Sequence, residues 1–322
     1  MSAVRVLMDS IVDYAGLFPP AKLEMGPAVE NYARYRAGDE SWILARFITT
    51  VARLDEFEKC GERFWAEDGD AEPWYVSALT GADLDADIDR IFAFNQKYAP
   101  DFGPLALNEG AEGGDDSAMS PVAVTGGAVI DTIELKAASG HDVDRALKII
   151  PEQIEPFFEV DWRDDTRGII SALAGTGARA KIRTGGVTAD LIPPPEAVAG
   201  FIANCAAADV AFKATAGLHH PVRAERALTY RPDSPRGVMH GFLNVFLASA
   251  FIRTGAMGVH DAERVLSETD AGAFQLGETH ASWRGKAIEI ARLASVRERF
   301  AISFGSCSFD EPVEDLRGLG MM

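Results

Sequence analysis

The sequence predicts a (β/α)8 TIM barrel, in which helices surround a closed sheet of eight parallel strands. Eight short apolar stretches, each typical of a buried strand, alternate almost strictly with helix-like stretches along the 322 residues. The predicted strands are centred near positions 14, 45, 76, 134, 158, 181, 212 and 302. A doubly wound open sheet is the alternative, but no glycine-rich phosphate loop follows the first strand. We therefore expect one barrel domain over residues 1–322, with a helical insertion between strands seven and eight at about 221–299.

The first half of the chain follows this pattern in order. Residues 13–21 predict a short strand and a rigid turn, because the two prolines at 19 and 20 fix the backbone and delay the next helix. The elements predicted next are a helix at 26–36, a strand at 42–51, a helix at 54–65, a strand at 74–79 and a helix at 83–98. Residues 100–128 are rich in Pro, Gly, Asp and Ser, which predicts a loop with one short strand at 104–107.

The second half continues the alternation up to a longer helical region. Strands are predicted at 131–137, 156–162, 179–183, 210–215 and 300–307. Helices are predicted at 142–149, 166–174, 237–253, 260–268 and 283–296, and a loop at 221–235. The last three helices belong to the expected insertion.

Composition and charge argue against several classes of function. A net charge of −18 disfavours a nucleic acid or an anionic membrane as partner, because phosphate groups are bound by lysine and arginine. The longest apolar stretch, 238–252, is too short and too interrupted to span a membrane. The N-terminus does not resemble a signal peptide, and the three cysteines are unclustered, which favours the cytoplasm. No oligomeric state is indicated.

Charged residues share the inward face of four consecutive predicted strands. Side chains alternate along a strand, so residues two positions apart lie on the same face. The inward pairs are Glu134 with Lys136, Glu159 with Asp161, Lys181 with Arg183, and Lys213 with Thr215. Because barrel interiors are normally filled by branched apolar side chains, this pattern indicates a functional site at the carboxyl end of the strands. A structural network of ion pairs is the alternative interpretation.

Two short motifs in this region resemble the class I, Schiff-base-forming aldolases of the deoxyribose-phosphate aldolase family. That family carries Lys-x-Ser-Thr-Gly on strand six and Lys-Ala-x-Gly-Gly on strand seven. Here Lys181-Ile-Arg-Thr-Gly and Lys213-Ala-Thr-Ala-Gly hold those places, and Glu159 matches a glutamate of the family's fifth strand. The resemblance covers strands five to seven, departs from the pattern at Arg183, and lacks a glycine-rich phosphate site after strand eight. It implies a carbon–carbon lyase that forms a lysine imine and needs no cofactor.

The paired lysines fit imine chemistry on physical grounds as well. An amine attacks a carbonyl only when it is unprotonated, and burial or a second cation lowers a lysine pKa from about 10.4. We expect Lys181 to be the nucleophile and Lys213 the neighbouring cation, while Glu134 or Glu159 transfers protons. The substrate would be a small carbonyl compound, which could be anionic. The residues expected to bind it are Lys136, Arg183, Thr215, His219, His220 and Asp13.

Two other functions remain open on the sequence. A metal-dependent enzyme would use Glu134, Glu159, Asp161 and a loop histidine as ligands of Mg²⁺ or Zn²⁺, although the lysines would compete for the carboxylates. A barrel without catalytic activity would bind a small ligand in the same place. Borohydride trapping of a carbonyl adduct tests the imine hypothesis, and metal analysis tests the metal-dependent alternative.

Overall fold

The structure is a computed structural model that describes residues 2–65, 72–99 and 127–322. Except for its last two positions, the loop predicted at 100–128, with its short strand at 104–107, lies outside the described residues. Within the described ranges, no helix combines the length and the apolar character needed to cross a membrane.

A closed barrel of eight parallel strands confirms the predicted fold class. The strands in chain order are β1 (Val12–Tyr14), β2 (Leu44–Thr50), β3 (Trp74–Leu79), β4 (Ala128–Lys136), β5 (Glu155–Val160), β6 (Arg179–Arg183), β7 (Phe212–Thr215), β8 (Ala224–Ala227), β9 (Arg236–Met239), β10 (Phe274–Leu276), β11 (His280–Trp283), β12 (Lys286–Glu289) and β13 (Ala301–Ser306). Strands β1 to β7 and then β13 form the barrel, each beside the next, and β13 closes it against β1. All eight barrel strands lie where the sequence pattern places them.

Helices surround the barrel. They are α1 (Ala3–Met8), α2 (Met25–Arg36), α3 (Leu54–Trp65), α4 (Leu84–Tyr98), α5 (Gly140–Ala146), α6 (Arg167–Leu173), α7 (Pro195–Ala207), α8 (Phe242–Arg253), α9 (Val259–Leu266), α10 (Ile290–Arg299) and α11 (Asp310–Gly318). Local sequence explains several of the starts. The Asp83 carboxylate accepts a hydrogen bond from the Ala86 amide ahead of α4, and Pro195 opens α7, where an amide donor is not needed.

The segment between β7 and β13 differs in part from the prediction. It contains α8, α9 and α10, but also the two-stranded sheet β8–β9 and the three-stranded sheet β10–β11–β12. The helix predicted at 283–296 is wrong at its start, because Trp283 pairs with Lys286 across a tight hairpin and α10 begins only at Ile290. Arg284 and Gly285 both have positive φ, 45° and 79°, which suits a two-residue hairpin turn.

The helix predicted at 237–253 also begins too early. Residues 236–239 form β9, which pairs with β8 in a region predicted to be a loop, and α8 follows from Phe242. Gly241 separates the two elements, and a Cβ there would lie 2.3 Å from the carbonyl oxygen of Pro221. The close passage of the chain therefore requires glycine at this position.

The strand register brings the predicted inward residues to one level. Lys136 is paired with Glu159, Glu159 with Lys181, and Lys181 with Lys213 across four neighbouring strands. Residues at one level of adjacent parallel strands point to the same side of the sheet. The ladder therefore directs these charges to the inner side of the barrel wall.

Candidate active site

Lys213, on β7, is the most deeply buried cation of the site, with a side chain that is 1% exposed. Its Nζ lies 2.9 Å from Asp13 Oδ2 and 2.6 Å from Glu134 Oε1. Burial alone would lower the pKa of Lys213, but the charges of Asp13 and Glu134 outweigh it and raise that pKa above its ordinary value. Lys213 is therefore a stable cation inside the barrel.

Lys181, at the same level on β6, binds a different pair of carboxylates. Its Nζ lies 2.8 Å from Glu134 Oε2 and 2.6 Å from Glu159 Oε2. The Arg183 guanidinium donates through Nε to the other oxygen of Glu159, at 3.2 Å. Lys181 is thus held between two anions, one of which also contacts an arginine that is half exposed.

Glu134, on β4, connects the two lysines. Its Oε1 contacts Lys213 and accepts a hydrogen bond from Ser77 Oγ at 3.0 Å, while its Oε2 contacts Lys181. Burial opposes ionisation of this carboxyl, but the two lysines outweigh burial and hold the pKa of Glu134 well below its ordinary value. The pKa of Glu159 is lowered in the same way, chiefly by Lys181 against the effect of burial.

These side chains form one balanced cluster. Its three anions and three cations, here called the lysine cluster, are Asp13, Glu134, Glu159, Lys181, Lys213 and Arg183. Each buried charge has an opposite partner within hydrogen-bonding distance, which offsets the loss of hydration. The structure thus brings together the four residues that the sequence predicts as catalytic.

Glycines shape the ends of the two strands that carry the lysines. A Cβ on Gly185 would lie 2.9 Å from Gly217 Cα, so the chain ends of β6 and β7 can meet only without side chains. Thr184 Oγ1 donates to the Ala216 carbonyl at 2.7 Å, and Gly217 has a φ of 76°, a region that favours glycine. Close packing of the two chain ends therefore explains the glycines. His219 follows two residues after the turn at Gly217.

A cavity of about 190 Å³ opens beside Lys181. Its polar lining residues are Glu134, Lys181, Arg183, Thr215, His219 and Cys307, and its apolar ones include Phe18, Ile48, Leu79, Val187 and Leu191. Lys213 is not one of the lining residues. A wider groove of about 1030 Å³ shares Glu134, Lys181 and Arg183 with the cavity and adds Lys136 and Glu159. Of the two buried lysines, Lys181 is therefore the one that a small molecule in the cavity can reach.

The two loop histidines have different surroundings. His219 is buried and lines the cavity, with Nδ1 at 3.0 Å from Glu311 Oε2 and 3.1 Å from Ser306 Oγ. His220 is not a lining residue; its Nδ1 lies 2.7 Å from Asp315 Oδ2, and burial lowers its pKa. Only His219 is thus placed beside Lys181.

The remaining predicted residues lie around this centre. Lys136 is exposed in the wider groove, and Thr215 is buried in the cavity wall. Asp13 lies inside the barrel, where it accepts hydrogen bonds from Lys213 and Ser303 and does not line the cavity. Asp161 lies outside the ion pairs of the lysine cluster, because its side chain is 55% exposed and accepts a hydrogen bond from the Arg163 amide, although it lines a neighbouring pocket together with Glu159 and Lys136.

Four neighbours of the predicted site residues have no signal in the sequence pattern: Ser77, Ser303, Ser306 and Glu311. The two serines that contact the carboxylates lie on β3 and β13, which carry no charged inward residue to draw attention to them. Glu311 is on α11, 92 residues after the histidine that it contacts. The alternation of side chains along a strand predicts neither the contacts of the serines nor the contact between Glu311 and His219.

Within 2–65, 72–99 and 127–322, no group of three or more His, Cys, Asp and Glu side chains has an arrangement that could hold a metal ion. The described carboxylates of the site contact lysines and an arginine instead. Compared with protein-family models, with curated proteins and with solved structures, the chain matches none of them.

Proposed function

We propose that this barrel is an enzyme that forms an imine between Lys181 and a small carbonyl substrate, with carbon–carbon bond cleavage or formation as the reaction class. The observation that carries the proposal is the contrast between the two lysines. Lys181 lines the cavity between two carboxylates, whereas Lys213 is enclosed beneath and held as a cation. The resemblance of the two lysine motifs to class I aldolases is consistent with this assignment.

The carboxylates beside Lys181 can assist the proton transfers of imine formation. Lys181 must lose a proton before it attacks, and Glu159, which contacts its Nζ and has a side chain that is 13% exposed, provides a path by which that proton can pass to solvent. The amine then adds to the carbonyl carbon, and loss of water from the carbinolamine leaves a protonated imine. Glu134, which contacts both lysines, would stabilise that positive charge.

The apolar cavity wall indicates a substrate with a short apolar body. Arg183, half exposed at the edge of both the cavity and the groove, is available to an anionic group of that substrate. The sugar-phosphate substrate of the resembling family is not part of the proposal, because no glycine-rich phosphate site follows β13.

Borohydride trapping tests the proposal. The protein is incubated with acetone, pyruvate or acetaldehyde and reduced with sodium borohydride, and the adduct is located by peptide mass spectrometry. We expect it on the peptide that contains Lys181. Lys181→Met should abolish it, and Lys97→Met, which removes an exposed lysine of α4, should leave it unchanged.

Other outcomes would redirect the proposal. An adduct on Lys213 would keep the chemistry but reverse the roles of the two lysines. Binding of these compounds without any adduct would favour the ligand-binding barrel without catalysis. Stoichiometric metal in the purified protein, required for binding, would favour the metal-dependent alternative.

A further inference from the structure

His219 and Glu311 form a second ionisable pair, in the wall of the cavity that Lys181 lines. The His219 side chain is 6% exposed and contacts the carboxylate of Glu311 through Nδ1 at 3.0 Å. The same nitrogen lies 3.1 Å from Ser306 Oγ. The pair joins the loop after β7 to the first turn of α11, and it is separate from the ion pairs of the lysine cluster.

The contacts of Nδ1 favour a proton on that nitrogen of His219. Ser306 Oγ donates its own hydrogen to the Ser308 carbonyl at 2.6 Å, so it offers Nδ1 only a lone pair. Burial would raise the pKa of Glu311, but its contact with His219 holds that pKa below the ordinary value, so Glu311 is an acceptor. Both neighbours of Nδ1 therefore accept, and the neutral ring has its lone pair on Nε2.

Nε2 is the nitrogen of His219 that is left available for a molecule bound in the cavity. Nε2 forms no hydrogen bond to any residue that the structure describes, yet it is not enclosed by protein atoms. Since His219 and Lys181 both line this cavity of about 190 Å³, one small molecule bound to Lys181 comes within reach of Nε2.

The carboxylates of the lysine cluster are poorly suited to take a proton from carbon. Both oxygens of Glu134 are bound to lysines, and Glu159 is shared by Lys181 and Arg183. These contacts keep their pKa values below the ordinary range, which makes them weak bases. By contrast, the lone pair on Nε2 of a neutral His219 ring is not bound to a cation, so no ion pair has to break before it accepts a proton.

We propose that His219 is the catalytic base that removes a proton from the carbon next to the imine, and that Glu311 is its positioning residue. This inference rests on the proposed function, because it needs the imine on Lys181. The substrate must then carry at least one hydrogen on the carbon beside its carbonyl group.

The step balances within the groups named. The C–H bond next to the protonated imine breaks, and its proton goes to His219 Nε2. The electron pair of that bond forms a carbon–carbon double bond, and the π pair of the C=N bond moves to nitrogen. The products are a neutral enamine and an imidazolium, which Glu311 stabilises. The reverse step returns a proton from His219 to carbon.

Deuterium exchange into acetone tests this role without knowledge of the natural substrate. In D₂O the wild-type protein should replace the methyl hydrogens of acetone, which proton NMR follows as loss of signal. We expect His219→Gln to slow this exchange by about 100-fold or more, the usual contribution of a general base. Borohydride should still trap acetone on Lys181 in this variant.

Glu311→Gln supplies the test of positioning, with Asp315→Asn as its matched control on the same helix. Glu311→Gln should slow exchange about 10-fold or more, since imidazolium formation loses its counter-charge. ¹⁵N NMR should show the Nδ1–H form of His219 in the wild type and a mixture of tautomers in Glu311→Gln. Asp315→Asn, which alters the partner of His220, should leave exchange and the His219 signals unchanged.

The outcomes separate the two proposals. If wild type traps acetone but does not exchange its hydrogens, or if folded His219→Gln exchanges at the wild-type rate, the base is another group and this inference is wrong. Loss of trapping in His219→Gln would also overturn it, because His219 would then serve imine formation. Failure of the wild type to trap any carbonyl compound would instead remove the proposed function itself.

Discussion

Lys213 is a cation with almost no contact with water, and two carboxylates replace its hydration. Asp13 and Glu134 are themselves 0% and 2% exposed, so neither could remain charged at low cost without the lysine. We predict that Lys213→Met lowers the free energy of unfolding by about 3–5 kcal/mol, the usual effect of removing one partner of a buried ion pair. Urea denaturation followed by circular dichroism measures this difference.

A second substitution shows whether charge causes the loss. Asp13→Asn combined with Lys213→Met removes one anion together with the cation, so the double variant should be clearly more stable than the sum of the two single effects predicts. Additive effects within about 0.5 kcal/mol would mean that packing, and not unpaired charge, explains the cost of losing Lys213.

The burial of His240, just ahead of α8, predicts that the protein loses stability in mild acid. Burial lowers the pKa of His240 to about 4, and its Nε2 donates to the Pro193 carbonyl at 2.7 Å. The unfolded chain, with a histidine pKa of about 6.5, takes up this proton first as the pH falls. Stability should therefore decrease from pH 6.5 to pH 4, by roughly 3 kcal/mol from this group.

His240→Gln isolates that contribution. Glutamine can donate to the same carbonyl but does not titrate, so the variant should lack this part of the decline between pH 6.5 and pH 4. Other groups, among them His220, whose pKa burial also lowers, act equally in both proteins. Identical pH profiles for the two proteins would show that His240 does not carry the effect.

Much of the site could be predicted because it depends on a period of two. Glu134, Glu159, Lys181 and Lys213 are on barrel strands, where alternation alone decides which side chains point inward. The ion-pair partners could not be predicted, since adjacency around the barrel does not tell which lysine Glu134 contacts. In the structure it contacts both. Glu311 could not be predicted for a different reason, since only the tertiary packing of α11 brings it to His219.

At the scale of elements, one amide of α8 holds three parts of the chain together. Asn244 donates to the carbonyls of Val265 and Glu268, at the end of α9 and just beyond it, at 2.7 and 2.8 Å. Its oxygen accepts from the amide of Arg223 at 2.9 Å, in the loop that carries His219. The buried amide thus links α8, α9 and the loop after β7.

We predict that Asn244→Leu lowers the free energy of unfolding by about 3 kcal/mol or more, because two buried carbonyls and one partly buried amide lose their partner while the volume is kept. Chemical denaturation measures the cost. Ser249→Ala is the control on the same helix, equally buried, since its hydroxyl only returns to the Val245 carbonyl of its own helix. The control should lose less than about 1 kcal/mol. Equal costs for the two variants would contradict a linking role for Asn244.

The elements that the sequence pattern missed are short and depend on turns. The β11–β12 hairpin has Arg284-Gly285 at its turn instead of the Asn-Gly or Asp-Gly pair that usually identifies such a hairpin. Residues 283–296 have enough polar and apolar alternation to fit a helix, and α10 does occupy the second part. The start of this stretch belongs to strands instead, because strand pairing with residues outside 283–296 decides its conformation.

At the scale of the whole molecule, the segment between β7 and β13 shares its core with the barrel. Phe242 of α8 stacks on Phe304 of β13 with ring centres 5.2 Å apart, and Phe246 packs against the same ring. Arg297 of α10 is buried and donates to the carbonyls of Leu7 and Asp9, close to the start of the chain. Barrel closure and the packing of this segment therefore depend on common contacts.

These shared contacts predict that the segment and the barrel unfold together. Hydrogen exchange with mass spectrometry, repeated at increasing urea concentration, should show α8 (242–253) and β13 (301–306) opening with the same free energy and the same dependence on urea. Arg297→Met, which removes hydrogen bonds to residues just before β1 and at the start of β13, should lower the two values in parallel. If α8 instead exchanged at lower urea while β13 stayed protected, the segment would be an independent unit. The position of His219, which joins the two, would then be set by the barrel strands alone.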